Sequence, residues 1–186
     1  AYWRSFDVPV VITNCMNIVA EWQDPEKFLP KIIQFVAQDK ERMPIYADRV
    51  VEPEEGKGYT RGSFNHMDEN VAWYIGSRVY LDARNKADAL MFLADKAPAR
   101  YSWGATEPDR WNICGDTELN NLELAQMVAQ AMNKTLDYEL VPSESARPGY
   151  DRRYALDGSK LREAGWKQPI SFKETIDRVV QWTVKH

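Results

Sequence analysis

The feature that most constrains the fold is an alternation of short β-branched runs with amphipathic stretches. Val8-Pro9-Val10-Val11-Ile12-Thr13-Asn14-Cys15 is apolar and rich in β-branched residues, the composition of a strand buried on both faces, as in parallel sheets. From Pro25 to Gln38, Phe28, Leu29, Ile32, Ile33, Phe35 and Val36 recur at helical spacing. Asp24 is placed as N-cap and Pro25 at the first helical position. The polar end of the strand, Thr13 to Asn17, falls at its carboxyl edge, where open α/β sheets bind ligands.

The same alternation continues. Pro44-Ile45-Tyr46 is a short extended piece, and Ser77-Arg78-Val79-Tyr80-Leu81 alternates like a strand before a helix from Ala83 to Asp95. Arg110 to Cys114 and Leu136 to Val141 are further strands, with a helix between them capped by Thr117 or Asn120. Two helices, Gly158 to Ala164 and Ser171 to Val184, close the chain. The expectation is an α/β fold of short parallel strands and amphipathic helices. A chain of 186 residues fits one domain over 1–186. The polar, glycine-bearing stretch at about 47–77 reads as a long loop excursion, with a small hairpin as the alternative. Ala1 to Phe6 has the bulky apolar and basic mix of the last turns of a helix, so the chain reads as cut from something longer.

A formal charge of -4 argues against a nonspecific grip on nucleic acid, which depends on basic side chains neutralising phosphates. Any phosphate site must be local. Two histidines and two well-separated cysteines are too few for a typical zinc set and fit reduced thiols. No apolar run approaches the length of a membrane span, and no charged-then-apolar leader precedes the first strand. The expectation is a soluble cytoplasmic chain.

The local phosphate candidate is Arg147-Pro148-Gly149-Tyr150-Asp151-Arg152-Arg153. Arginine presents a planar fork to paired oxygens, and Pro-Gly bends the chain so that backbone amides can approach a ligand. The plain structural alternative pairs these arginines with Asp151 and Asp157. The run continues as Tyr154-Ala155-Leu156-Asp157, then Ser159-Lys160-Leu161 and Gly165-Trp166. In this form it resembles the carboxyl-terminal signature of dTDP-glucose 4,6-dehydratases, which are extended short-chain dehydrogenases/reductases. Thr13-Asn14-Cys15 with Asn17, Pro25-Glu26-Lys27 with Pro30, Pro44-Ile45-Tyr46, Arg78, Trp111-Asn112-Ile113 and Asn120-Asn121-Leu122 follow in the family's order.

The resemblance implies the carboxyl-terminal, substrate-binding portion of a Rossmann-like fold, with the amino-terminal Rossmann half missing. It implies a nucleotide diphosphate sugar as ligand and places Asn17 and Asn112 against the substrate. Lys27 and Phe28 fall beside the diphosphate, and Pro44, Ile45 and Tyr46 along the base. Arg78 and Arg147 become the diphosphate arginines, with Tyr150 at a neighbouring substrate position. Plain structural readings stand beside these, with Asn17 as a turn residue, Lys27 as a solvated helix charge and Tyr46 as core. The chain departs from the family where histidine is expected and Tyr150 stands, where asparagine is expected and Ile18 stands, and at Val19-Ala20-Glu21 in place of Tyr-Gly-Pro.

NAD-dependent dehydration needs a dinucleotide site and an acid/base pair. Gly56, Gly58 and Gly62 lack the G-x-G-x-x-G spacing, and no tyrosine is followed four residues later by lysine. No residue is therefore assigned a catalytic or metal-binding role, and NAD is expected only with the missing half. Two functions follow: the nucleotide-sugar-binding portion of an epimerase/dehydratase, inactive by itself, or a non-catalytic relict serving in binding or assembly. The expected partners are that missing half or a second copy docking on an exposed apolar face.

Overall fold

The computed structural model describes residues 1–38, 42–50, 60–61, 72–97, 103–143 and 151–186. In chain order the first elements are α1 (Tyr2–Phe6), β1 (Val11–Cys15), β2 (Ile18–Val19), α2 (Phe28–Gln38), β3 (Met43–Val50), β4 (Thr60–Arg61), β5 (Ala72–Ile75) and β6 (Ser77–Val79). They are followed by β7 (Leu81–Asp82), α3 (Ala83–Lys96), β8 (Asp109–Ile113), β9 (Glu118–Asn120), α4 (Asn121–Ala131), β10 (Tyr138–Pro142), β11 (Arg153–Tyr154), α5 (Ser159–Glu163) and α6 (Phe172–Lys185). The chain divides into two compact units of interleaved sequence. One holds Ala1–Ala20, Val79–Thr117 and Ala155–Thr175, and the other Glu21–Arg78, Glu118–Tyr154 and Ile176–His186.

In the first unit β1 and β8 run parallel, with Val11 opposite Asp109 and Cys15 opposite Ile113. A second parallel pair sets Ile18 of β2 against Leu81 of β7. The core is Leu81, Ala89, Leu93, Trp111, Ile113, Leu161 and Trp166, with Val11, Ile18 and Phe92 packed on it. Each large apolar side chain withdrawn from water contributes roughly 1.5–3 kcal/mol before conformational entropy is counted. The buried polar residues Asp82, Asn85 and Thr175 are matched to partners. Asp82 caps α3 by accepting from Arg84 N at 2.7 Å, and the Thr175 hydroxyl donates to its other oxygen at 2.8 Å. Asn85, wholly buried, holds Ile170 at both its N–H and its carbonyl.

In the second unit the strand order is β10-β3-β5-β4. β10 lies parallel to β3, while β5 runs antiparallel to both β3 and β4. Helix α2 packs on α4, and their apolar faces are buried through Leu29, Ile32, Ile33 and Val36 and through Leu122, Leu124, Ala125 and Val128. Asn120 and Glu123 form a reciprocal capping box at the start of α4. Lys134 Nζ donates to the carbonyls of Val36 and Ala37, satisfying the carboxyl end of α2.

The α/β character and the alternation agree with the sequence expectation, and four strand pairs among the described residues are parallel. Several boundaries differ. Helix α2 begins at Phe28, not Pro25, because Asp24 turns the chain through Glu26 N and Lys27 N before the first helical bond reaches the Lys27 carbonyl. Pro30 then sits in the first turn, where its missing N–H costs nothing. Within the stretch that reads in sequence as a loop excursion or a small hairpin, residues 47–50 and 72–75 are antiparallel strand, Ala47 to Val50 pairing with Ile75 to Ala72. The strand expected over Ser77 to Leu81 is broken at Tyr80 into β6 and β7, which pair with different neighbours.

Candidate functional site

Of the arginine segment, residues 151–153 are described, and Arg153 begins β11, the edge of a three-stranded sheet ordered β11-β6-β9. The parallel ladder between β11 and β6 is only two residues long, Arg153 opposite Ser77 and Tyr154 opposite Arg78. Side chains extend what the backbone leaves short. Arg153 grips Glu118 bidentately, with both N–H···O distances at 2.8 Å, and the Ser77 hydroxyl donates to the same carboxylate at 2.6 Å. The guanidinium of Arg153, then the Ser77 hydroxyl, hold the Glu118 carboxyl below its ordinary range.

Successive residues of a strand face opposite ways, so Arg78 lies on the face of β6 opposite Ser77. Its guanidinium donates to the carbonyls of Asp151 at 2.7 Å, Ser77 at 2.7 Å and Arg152 at 3.5 Å. Arg152 carries the connection to the larger sheet. Its side chain pairs with Asp48 of β3 at 2.7 Å, and its carbonyl accepts from Ser77 N and from the Tyr74 hydroxyl. Residues 151–154 therefore bind to β3, β5, β6 and β9 at once. For Arg152 and Arg153, the alternative pairing with Asp151 and Asp157 does not occur. The acids that answer them are Asp48 and Glu118, far away in sequence.

Among the base-binding candidates, burial alternates along β3. Ile45 is 1% exposed and belongs to the core, so it can offer a ligand only backbone. Pro44 and Tyr46 lie half-buried on the other face together with Asp48. Lys27 is exposed at the amino end of α2 beside half-buried Phe28. Arg147 and Tyr150 lie outside the described residues.

In the first unit Asn17 adopts a left-handed φ of 44°, which asparagine tolerates better than most residues. Its amide donates to the Val79 carbonyl at 2.9 Å, and its own carbonyl accepts from Leu81 N. The turn reading of Asn17 thus has its structural counterpart. Asn112 is engaged at both ends, accepting from Asn14 at 3.0 Å and donating to the Asp157 carbonyl at 2.9 Å. A cleft of about 360 Å³ lies beside Cys114, Gly115, Gly158, Arg162, Trp166 and Gln168; Leu161 and Trp166 of the carboxyl-terminal signature line it, but among the described residues none of the selected ligand contacts does. Burial raises the Cys114 thiol, which disfavours thiolate chemistry there.

Sequence reasoning missed Asp48, Tyr74, Ser77 and Glu118. Only their distance from the arginines in sequence hid them, since each is an ordinary polar residue within a strand. Among the described residues no group of three or more histidine, cysteine or carboxylate side chains is placed to hold a metal, and no helix is long and apolar enough to cross a membrane.

No family model matches the chain. A dTDP-glucose 4,6-dehydratase of Shigella flexneri is 28% identical over 193 residues, covering 98% of this chain and 43% of the relative. In structure, the dTDP-glucose 4,6-dehydratase of Streptomyces venezuelae with NAD and TYD bound superposes with a TM-score of 0.68 at 23% identity, over 99% of this chain and 46% of that one. The UDP-glucose 4-epimerase of Thermus thermophilus in complex with NAD gives a TM-score of 0.66 at 19% identity, over 98% and 49%. The chain spans about half the length of the relatives it matches. Along nearly all of its length it is similar to the carboxyl-terminal part of dTDP-glucose 4,6-dehydratases, and its fold is that of a portion of the Rossmann-like extended short-chain dehydrogenases/reductases.

Proposed function

We propose that residues 1–186 form one nucleotide-sugar-binding domain, its two units interleaved, that serves an NAD-dependent sugar 4,6-dehydratase or epimerase. The observation that carries this reading is the similarity to dTDP-glucose 4,6-dehydratases along 98% of the chain. The ligand is an NDP-hexose. We assign Arg78 and Arg147 to its diphosphate together with Lys27 and Phe28, and Pro44, Tyr46 and the backbone of Ile45 to the base. We assign Asn17, Asn112 and Tyr150 to the sugar. Two arginines and a lysine suit a diphosphate because charge-assisted, forked hydrogen bonds are the strongest that side chains offer it.

The residues present do not fit a dinucleotide. The sequence holds no G-x-G-x-x-G turn to cradle a pyrophosphate and no tyrosine-lysine pair at the spacing used for hydride chemistry. No step through NAD is derived from these side chains. NAD and the acid/base pair would come from a Rossmann half, either covalently continuous with this chain or supplied in trans. We place the protein in the cytoplasm, where such substrates are made and used.

Calorimetric titration of the chain with dTDP, UDP, GDP and CDP tests the reading. One of the four is expected to bind with 1:1 stoichiometry. Folded protein that binds none of them at low ionic strength ends it. The internal hydrogen bonds that already occupy Asn112 favour a second reading, a relict domain with a role in assembly, and that reading gains if all four titrations are flat.

A further inference from the structure

We propose that Glu118 is a positioning residue for nucleotide binding, the anchor of a cross-strand row that fixes the register of β6 and so the face on which Arg78 stands. The inference rests on the nucleotide-sugar reading and deepens it. Its starting point is the shortness of the sheet. β11 and β6 share two register pairs, and β9 is three residues long. A one-residue slip of so short a strand exchanges its faces, since the side-chain period is two. For β6 such a slip would put Ser77 or Val79 where Arg78 now stands.

The row Arg153–Ser77–Glu118 opposes that slip. Arg153 and Ser77 are register partners across β11 and β6, and Glu118 on β9 accepts from both. One carboxylate therefore ties all three strands together on the face opposite Arg78. Isolated surface ion pairs contribute little, but a bidentate arginine-carboxylate pair with a third donor has the defined geometry that makes such a pair count. On the other face, Arg78 holds the carbonyls of Asp151 and Arg152. The two faces of the sheet thus index each other: the row sets the register, and the register sets where the guanidinium stands.

The test is a double-mutant cycle on the full chain, read by calorimetry with whichever of dTDP, UDP, GDP and CDP the wild type binds. E118A is expected to weaken nucleotide binding about tenfold in the wild-type background and to change it less than about twofold in the R78K background, within the usual range of coupling between neighbouring residues. The charge-reversed pair E118R/R153E is expected to recover most of the loss. Equal losses in both backgrounds would mean that Glu118 supports the fold generally and would overturn the proposal, as would full affinity in E118A. If E118A does not fold by circular dichroism, E118Q, which keeps the shape and loses the charge, takes its place in the cycle. Wild-type protein that binds none of the four removes the underlying reading together with this one. A flat cycle on a wild type that binds removes this one alone.

Discussion

At Gly115 one added methyl group would meet backbone. A Cβ built there would run into the Tyr80 carbonyl oxygen, a backbone atom with little room to yield. Gly115→Ala is expected to cost about 1–3 kcal/mol, the usual scale of overpacking, measurable as a lowered urea midpoint with an unchanged slope. A variant as stable as wild type would mean that the two segments separate freely. Nothing in the sequence marks this glycine, because the constraint comes from a residue that approaches only after folding. The same holds for Arg152 and Arg153. Their charge is legible, but their partners Asp48 and Glu118 are fixed by strand pairing and cannot be read from neighbours in sequence. Arg78 was legible as a candidate phosphate contact. Its engagement with backbone carbonyls was not.

At the level of elements, helices were the more readable. Asn120 with Glu123, and Ser171 with Glu174, announce helix starts chemically, and both reciprocal bonds form in each. β4, β9 and β11, of two or three residues each, carry no periodicity to detect. Such strands depend on side chains, which makes their stability sensitive to acid. Glu118 has a lowered folded-state pKa, so its contribution is complete above the ordinary glutamate value and is lost as pH falls through the folded value. Thermal melts of wild type and E118Q are expected to differ near neutrality and to converge only once the pH has fallen through the lowered folded value, below the ordinary glutamate range, where the carboxylate is protonated in wild type as well. The difference should be small, because the carboxylate is largely solvent-screened. A gap that widens in acid would contradict the assignment.

For the molecule as a whole, the alternation of strand and helix was enough to give the α/β class. The division into two units was not legible, because each is assembled from three separate stretches of chain. The longer parallel ladders show the same interleaving. β1 meets β8 across 98 residues, and β3 has its parallel partner in the distant β10. Parallel pairing requires a crossover, and a chain built on distant contacts must close large loops before any contact rewards it. On a ribosome β1 and β3 would therefore emerge long before the strands that complete them, with apolar edges exposed throughout that interval. Refolding from urea is expected to be slow, in the millisecond-to-second range or beyond, and to give less soluble product as protein concentration rises. Microsecond recovery independent of concentration would argue against it. The pairing that stabilises the finished protein thus makes its synthesis the stage at which it is most exposed to aggregation.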